Sequence, residues 1–183
     1  RNGTLIDDAW IFVEILNVLL QDRNLNYINL NIYRDTFCMP IIAFYDKLGI
    51  DVSPDAFYQL EKQFVKEYKN KMFNPALFDQ TIPTLNKLKK NCMSFSILSA
   101  SHTTILKELI SYYKINSYFD KVVGLNNYLA DGKFDMGIKL LNSLPYKKSE
   151  ILLVGDTDFD YVVASKLGID SVLIANGHQS KNR

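Results

Sequence analysis

Near residue 80 the hydrophobic pattern of this 183-residue chain changes period, and that change restricts its possible folds more than any other feature. Before it, apolar residues recur at helical spacing. After it, short apolar runs alternate with helical ones. Residues 7–21 predict a helix with Glu14, Asn17 and Gln21 on one face and Trp10, Phe12, Ile15, Leu16 and Leu19 on the others. Residues 32–48 predict a second helical stretch, interrupted at Pro40 and closed by Gly49. Ser53-Pro54 opens a third, since serine caps well and proline suits the first turn; its stripe is Phe57, Leu60, Phe64 and Tyr68. Beyond residue 80 the sequence predicts helices over 81–91, 101–113, 135–144 and 158–167. Strands are predicted over 93–98, 119–123, 151–154 and 171–174. That alternation predicts an α/β fold, a doubly wound, mostly parallel sheet covered on both faces. Such sheets bind ligands at the carboxyl ends of their strands.

Composition narrows the class further. A chain of this length buries roughly 70% of its unfolded surface, enough for one domain plus a small insert. Apolar residues make up 48% and charged residues 22%, which excludes a disordered chain. A net charge of +1 gives no electrostatic case for nucleic acid or an anionic membrane as partner. The longest apolar stretch, residues 15–20, is broken by Asn17 and is too short to span a bilayer. Cys38 and Cys92 form no disulfide framework and share no zinc-like spacing with His102 or His178; they read as reduced thiols in a cytoplasmic protein.

Four strand ends carry candidate chemistry. Arg1-Asn2-Gly3-Thr4-Leu5-Ile6-Asp7-Asp8 offers the backbone amides of a Gly-containing turn to an anion, although Asn-Gly is also a plain turn. Ser99, in Ile97-Leu98-Ser99-Ala100-Ser101, stands where a strand gives way to a helix; Ser101 reads as that helix's cap. Lys133 follows Ala130-Asp131-Gly132, and on its own reads as a solvated loop charge. Leu152-Leu153-Val154-Gly155-Asp156-Thr157-Asp158-Phe159-Asp160 places three carboxylates within five residues after an apolar strand. Their mutual repulsion suggests a cation, and hard oxygens favour Mg²⁺; the competing reading is helix capping, which suits Asp158 best. Tyr33, Arg34 and Lys47 could meet the distal end of a substrate but read first as solvated surface, and His178 reads as part of a polar Gly-His-Gln loop with lining of the site as the alternative.

Asn2-Gly3-Thr4-Leu5, Ser99, Lys133 and Gly155-Asp156-Thr157-Asp158-Phe159-Asp160 together resemble the haloacid dehalogenase superfamily of phosphohydrolases, in its phosphoglycolate-phosphatase-like branch. The resemblance covers essentially the whole chain. It implies a Rossmann-like core from residues 1–9 and 79–183, with residues 10–78 inserted as an all-helical cap. It further implies a Mg²⁺-dependent phosphatase acting on a small phosphorylated metabolite through an aspartyl-phosphate. The phosphate would lie on Gly3, Ser99, Ala100 and Lys133. The metal would be held by the main-chain carbonyl of Asn2 with Asp156 and Asp160, Asp160 orienting metal-bound water.

Two departures bear on activity. The family's nucleophilic aspartate would stand immediately before Arg1, at the end of a strand of about six to eight residues. The family's second aspartate, which exchanges a proton with the leaving group, is Asn2 here. A dehalogenase would carry an aromatic residue at that position and need no metal, and a phosphomutase would need the acid. The alternative to a phosphatase is therefore a weak or silent phosphate-binding or regulatory protein of the same fold.

Overall fold

The computed structural model describes residues 2–126 and 132–182; Arg1, Ala130 and Asp131 lie outside the described residues. Four helices come first: α1 (Ala9–Gln21), α2 (Leu30–Thr36), α3 (Ile41–Lys47) and α4 (Pro54–Lys71). The α/β half follows as α5 (Thr81–Lys90), β1 (Ser96–His102), α6 (Thr103–Tyr112), β2 (Lys121–Leu125), α7 (Lys133–Asn142), β3 (Leu152–Gly155), α8 (Asp158–Leu167) and β4 (Asp170–Leu173).

Local chemistry sets these limits. Pro40 separates α2 from α3, and Gly49 takes a left-handed φ of 77° after α3. Pro54 opens α4 as expected, but the Ser53 hydroxyl bonds to Asp51 rather than capping the helix. The Asn29 side chain caps α2 by accepting the Ile32 N–H at 2.9 Å. Ser101 is not the cap of α6: β1 runs on through Ser99 to His102, and the His102 side chain caps α6. Ser99 is thus inside the strand rather than at its end.

Helices α1 to α4 enclose a core of Ile11, Ile15, Leu16, Leu19, Tyr33 and Leu60, to which Ile105 and Leu109 of α6 are joined. That shared core fixes the helical half against the α/β half. Trp10, expected on an apolar face of α1, is 37% exposed. A second cluster, Ile97, Leu106, Ile110 and Ile115, holds α6 on β1.

The expected sheet is present as two parallel pairs. Ser96 aligns with Lys121 in the β1–β2 pair, and Leu152 with Asp170 in the β3–β4 pair. No described strand joins β1 to β3. A cavity of about 690 Å³ separates them, lined on this side by Leu98, Gly137, Leu140, Leu152, Val154 and Leu167. Leu152 and Val154 are therefore half-exposed, contrary to the habit of parallel strands buried on both faces. The cavity runs on into the helical half.

Glu61 of α4 is a buried acid in that half, 8% exposed. Burial pushes its carboxyl from an ordinary 4.5 up to about 7, against a smaller downward pull from a hydrogen bond with Tyr45. Because the folded-state value is the higher one, ionisation favours unfolding, and stability falls as pH rises from about 4.5 through about 7. Glu61→Gln should therefore raise the melting temperature at pH 8 by about 5 °C and give no gain at pH 4.5. Thermal unfolding at the two pH values checks this; an equal shift at both contradicts it.

Candidate active site

The carboxyl end of β3 and the turn at residues 2–6 meet at Asp156, which follows β3 and is buried, and the end of β1 faces it across the cavity. The Thr4 hydroxyl donates to Asp156 Oδ1 at 2.8 Å, and the His178 main-chain N–H donates to Oδ2 at 2.8 Å. Segments 152 and 22 residues away in sequence thus close on one carboxylate. Two glycines permit it. Gly3 has φ of 65°, and a Cβ on either Gly3 or Gly177 would overlap the Asp156 carboxyl group.

Asp160 lies in the first turn of α8. Its Oδ2 accepts from the Thr157 hydroxyl at 2.8 Å and from the Thr157 and Asp156 amides at 3.1 and 3.2 Å. Thr157 returns the cap to the Asp160 N–H, forming a reciprocal box at the helix start. Side-chain capping falls to Asp160 and Thr157, while Asp158 stands in the first turn as expected and its Oδ1 accepts from the Gln179 amide at 2.8 Å. The other oxygen of Asp160 pairs with the Lys133 ammonium. Burial alone would raise the Asp160 carboxyl, but the charge and hydrogen bond of Lys133, with Thr157, hold it below the ordinary range. Lys133 is the first residue of α7 and buried, so the solvated-loop reading fails for it.

Asn2 donates from Nδ2 to the Tyr68 hydroxyl of α4 at 3.2 Å, while its Oδ1 is buried without a partner. Asn2, Thr4, Ser99, Ala100, Lys133 and Asp156 all line the same cavity. Gly3 adjoins Asp156. The structure therefore gathers the residues singled out from sequence into one site. Ser99 is buried, and its Oγ accepts the Ser101 N–H at 3.1 Å.

The composition and motifs left several site residues unassigned. The Gly3 N–H donates to Asp8 Oδ1 at 3.0 Å. The same oxygen meets His178 Nε2 at 3.2 Å, and His178 Nδ1 meets the Tyr33 hydroxyl at 2.6 Å. Tyr33 is thus fully buried, not solvated surface, because its hydroxyl has a histidine partner. Burial pushes the His178 ring down, but the hydrogen bond and charge of Asp8, with Asp156, outweigh it and raise the group. Arg34 also leaves the solvent reading: it donates to the Gly177 and Asn176 carbonyls at 2.9 Å each. The Gln179 amide donates to the Phe37 carbonyl at 3.0 Å. Asp7-Asp8 and Gly177-His178-Gln179 were visible as polar pairs in turns, but only tertiary contact shows which partners they take.

No three Asp, Glu, His or Cys side chains cluster as a metal cage among the described residues. The site still suits a hard cation. Asp156 is buried, its hydrogen bonds come from neutral donors, and no described cationic side chain pairs with it. A buried carboxylate is costly without a compensating charge. Mg²⁺ commonly takes one or two carboxylates and completes its shell from water and phosphate.

Comparison with known proteins agrees with this geometry. A phosphoglycolate phosphatase of Aquifex aeolicus is 25% identical over 187 residues, covering 99% of this chain and 84% of that protein. A haloacid dehalogenase-like family hydrolase from Streptococcus pneumoniae superposes with a TM-score of 0.85 at 20% identity, covering 100% of this chain and 85% of that one. A haloacid dehalogenase-like hydrolase from Bacteroides fragilis also gives 0.85 at 20% identity, covering 100% and 88%. The family model described as haloacid dehalogenase-like hydrolase matches residues 2–174, and the chain belongs to that family.

Proposed function

We propose that this chain is a Mg²⁺-dependent phosphatase that hydrolyses a small phosphorylated metabolite through an aspartyl-phosphate. The observation that carries the reading is the convergence of Asn2, Thr4, Ser99, Lys133 and Asp156 on one cavity beside a buried carboxylate that lacks a cationic partner. The phosphatase relative supports the same chemistry. In this reading residues 1–9 and 79–183 form the core and residues 10–78 the cap. The family's nucleophilic aspartate would act at the groove between β1 and β3, which the half-exposed Leu152 and Val154 line.

Lys133, fixed by Asp160, presents a point charge to the phosphoryl group. The Ser99 hydroxyl and the amides near Gly3 and Ala100 take its oxygens, since phosphoryl transfer depends mostly on positioning and charge. The Asp156 carboxylate and the Asn2 main-chain carbonyl would hold Mg²⁺, which offsets repulsion between the attacking carboxylate and the anionic substrate. Asp160, both of whose oxygens are taken by protein donors, positions Lys133 and the turn at Thr157.

Asn2 sets the limit on rate. Its amide has no proton to exchange with a leaving group. The silent-protein reading rests on this residue and predicts no turnover even with a good leaving group.

Asn2→Asp should raise kcat/KM for an alkyl phosphate by about 100-fold, within the range of general acid catalysis, and should change p-nitrophenyl phosphate much less. An unchanged alkyl rate contradicts this account of Asn2. Lys133→Met should abolish phosphate release and destabilise the fold by about 3–5 kcal/mol, by leaving Asp160 buried and unpaired. The double variant Lys133→Met/Asp160→Asn should recover stability in denaturant unfolding but not phosphate release. Recovery of both would show that the pair is structural only.

A further inference from the structure

The cavity does not stop at the phosphate-binding residues. Beyond Asn2 and His178 it continues between α1, α3 and α4, where Phe12, Tyr45, Glu61, Phe64, Val65 and Tyr68 line it. Glu61, Phe64, Val65 and Tyr68 are spaced i, i+3, i+4 and i+7, so one face of α4 forms this wall. The rings are packed together: Phe12 lies 5.3 Å from Phe64 and 5.4 Å from Tyr68, centre to centre. Tyr45 closes the far side, 6.2 Å from Phe57.

Glu61 is the anomaly in this apolar wall. It is more than nine-tenths buried, and its Oε1 has no hydrogen-bond partner. Tyr45 hydrogen-bonds to the carboxyl group, and no described cation pairs with it. Such a group is destabilising unless something satisfies it. Aromatic faces around a carboxylate attract a cation twice, through the ring quadrupoles and through the charge. A neutral donor gains only the hydrogen bond. Burial pushes the Glu61 carboxyl up to about 7, and an adjacent ammonium would favour its ionised form.

The helix also sets a length. Tyr68 reaches the phosphate end, where its hydroxyl receives the Asn2 amide at 3.2 Å. Glu61 stands seven residues earlier, about 10 Å along the axis. We propose that this arm of the cavity is the leaving-group subsite, and that it takes an elongated apolar group ending in an ammonium, with Glu61 as its counter-ion. Placing the phosphate at the other end rests on the phosphatase reading; the ammonium site does not.

Two measurements on the full chain separate these claims. Calorimetric titration with hexylammonium, hexanol and hexanoate needs no turnover. Hexylammonium should bind at least about tenfold more tightly than hexanol, and hexanoate least. In Glu61→Gln, shown folded by its melting curve, that preference should vanish. Equal binding of hexylammonium and hexanol by the native chain overturns the proposal, whatever the variant does. Phosphate release from 6-aminohexyl, hexyl and 5-carboxypentyl phosphate then tests the joined site. Release should favour the amine by about tenfold in kcat/KM, and Glu61→Gln should remove the advantage. Release from all three with no preference for the amine overturns the leaving-group assignment. Ammonium binding without release from any of them, or from p-nitrophenyl phosphate, sinks the phosphatase reading and with it that assignment, while the ammonium site stands.

Discussion

The buried carboxylate of Asp156 is the point on which the architecture depends. The Thr4 hydroxyl and the His178 amide close on its two oxygens, tying the first turn of the chain to its last loop through the end of β3. Neither contact would be possible with a side chain at Gly3 or Gly177. A carboxylate this enclosed would repel an anionic substrate. In the proposed phosphatase, positive charge beside it would offset that repulsion, and Lys133 is already paired with Asp160.

From that point two sets of contacts spread outward. One stabilises the core side: the Thr157–Asp160 box starts α8, and Lys133 starts α7 against the same acid. A single ion pair thus fixes two helix origins at the edge of the cavity. The other set runs to the helical half. Asp8 holds both the Gly3 amide and the His178 ring, and Tyr33 of α2 holds the ring from the other side. Arg34 and Phe37 fasten the same helix region to the loop at residues 176–179. The aromatic helices that line the far arm of the cavity are therefore registered to the site by hydrogen bonds as well as by the shared apolar core.

Much of this was legible in the sequence, and the reasons differ by feature. Helix α8 was readable at both ends because acids cluster at its start and Gly168 ends it in a left-handed turn. Helix α4 was readable at its start from Ser53-Pro54. Strand β1 was placed three residues early at its start and four at its end, since Ser99, Ala100 and Ser101 carry no strand signature and only pairing with β2 extends it. The site motifs were readable because they recur as short strings at strand ends. Tyr33, Asp8 and His178 were not, because a polar residue in a turn or on a helix gives no sign of a partner 145 or 170 residues away. Lys133 and Glu61 show the same limit: charged residues default to the surface, and only the fold reveals which are buried and what, if anything, answers them.

The claim that Asp156 organises a metal-assisted phosphatase site is tested most directly by phosphate release from p-nitrophenyl phosphate. The full chain and Asp156→Asn would be compared with and without Mg²⁺. The account predicts release by the native chain that requires Mg²⁺, and a loss of at least about 100-fold in the variant, whose amide keeps the shape but not the charge. Release that ignores Mg²⁺, or that survives Asp156→Asn, would contradict it.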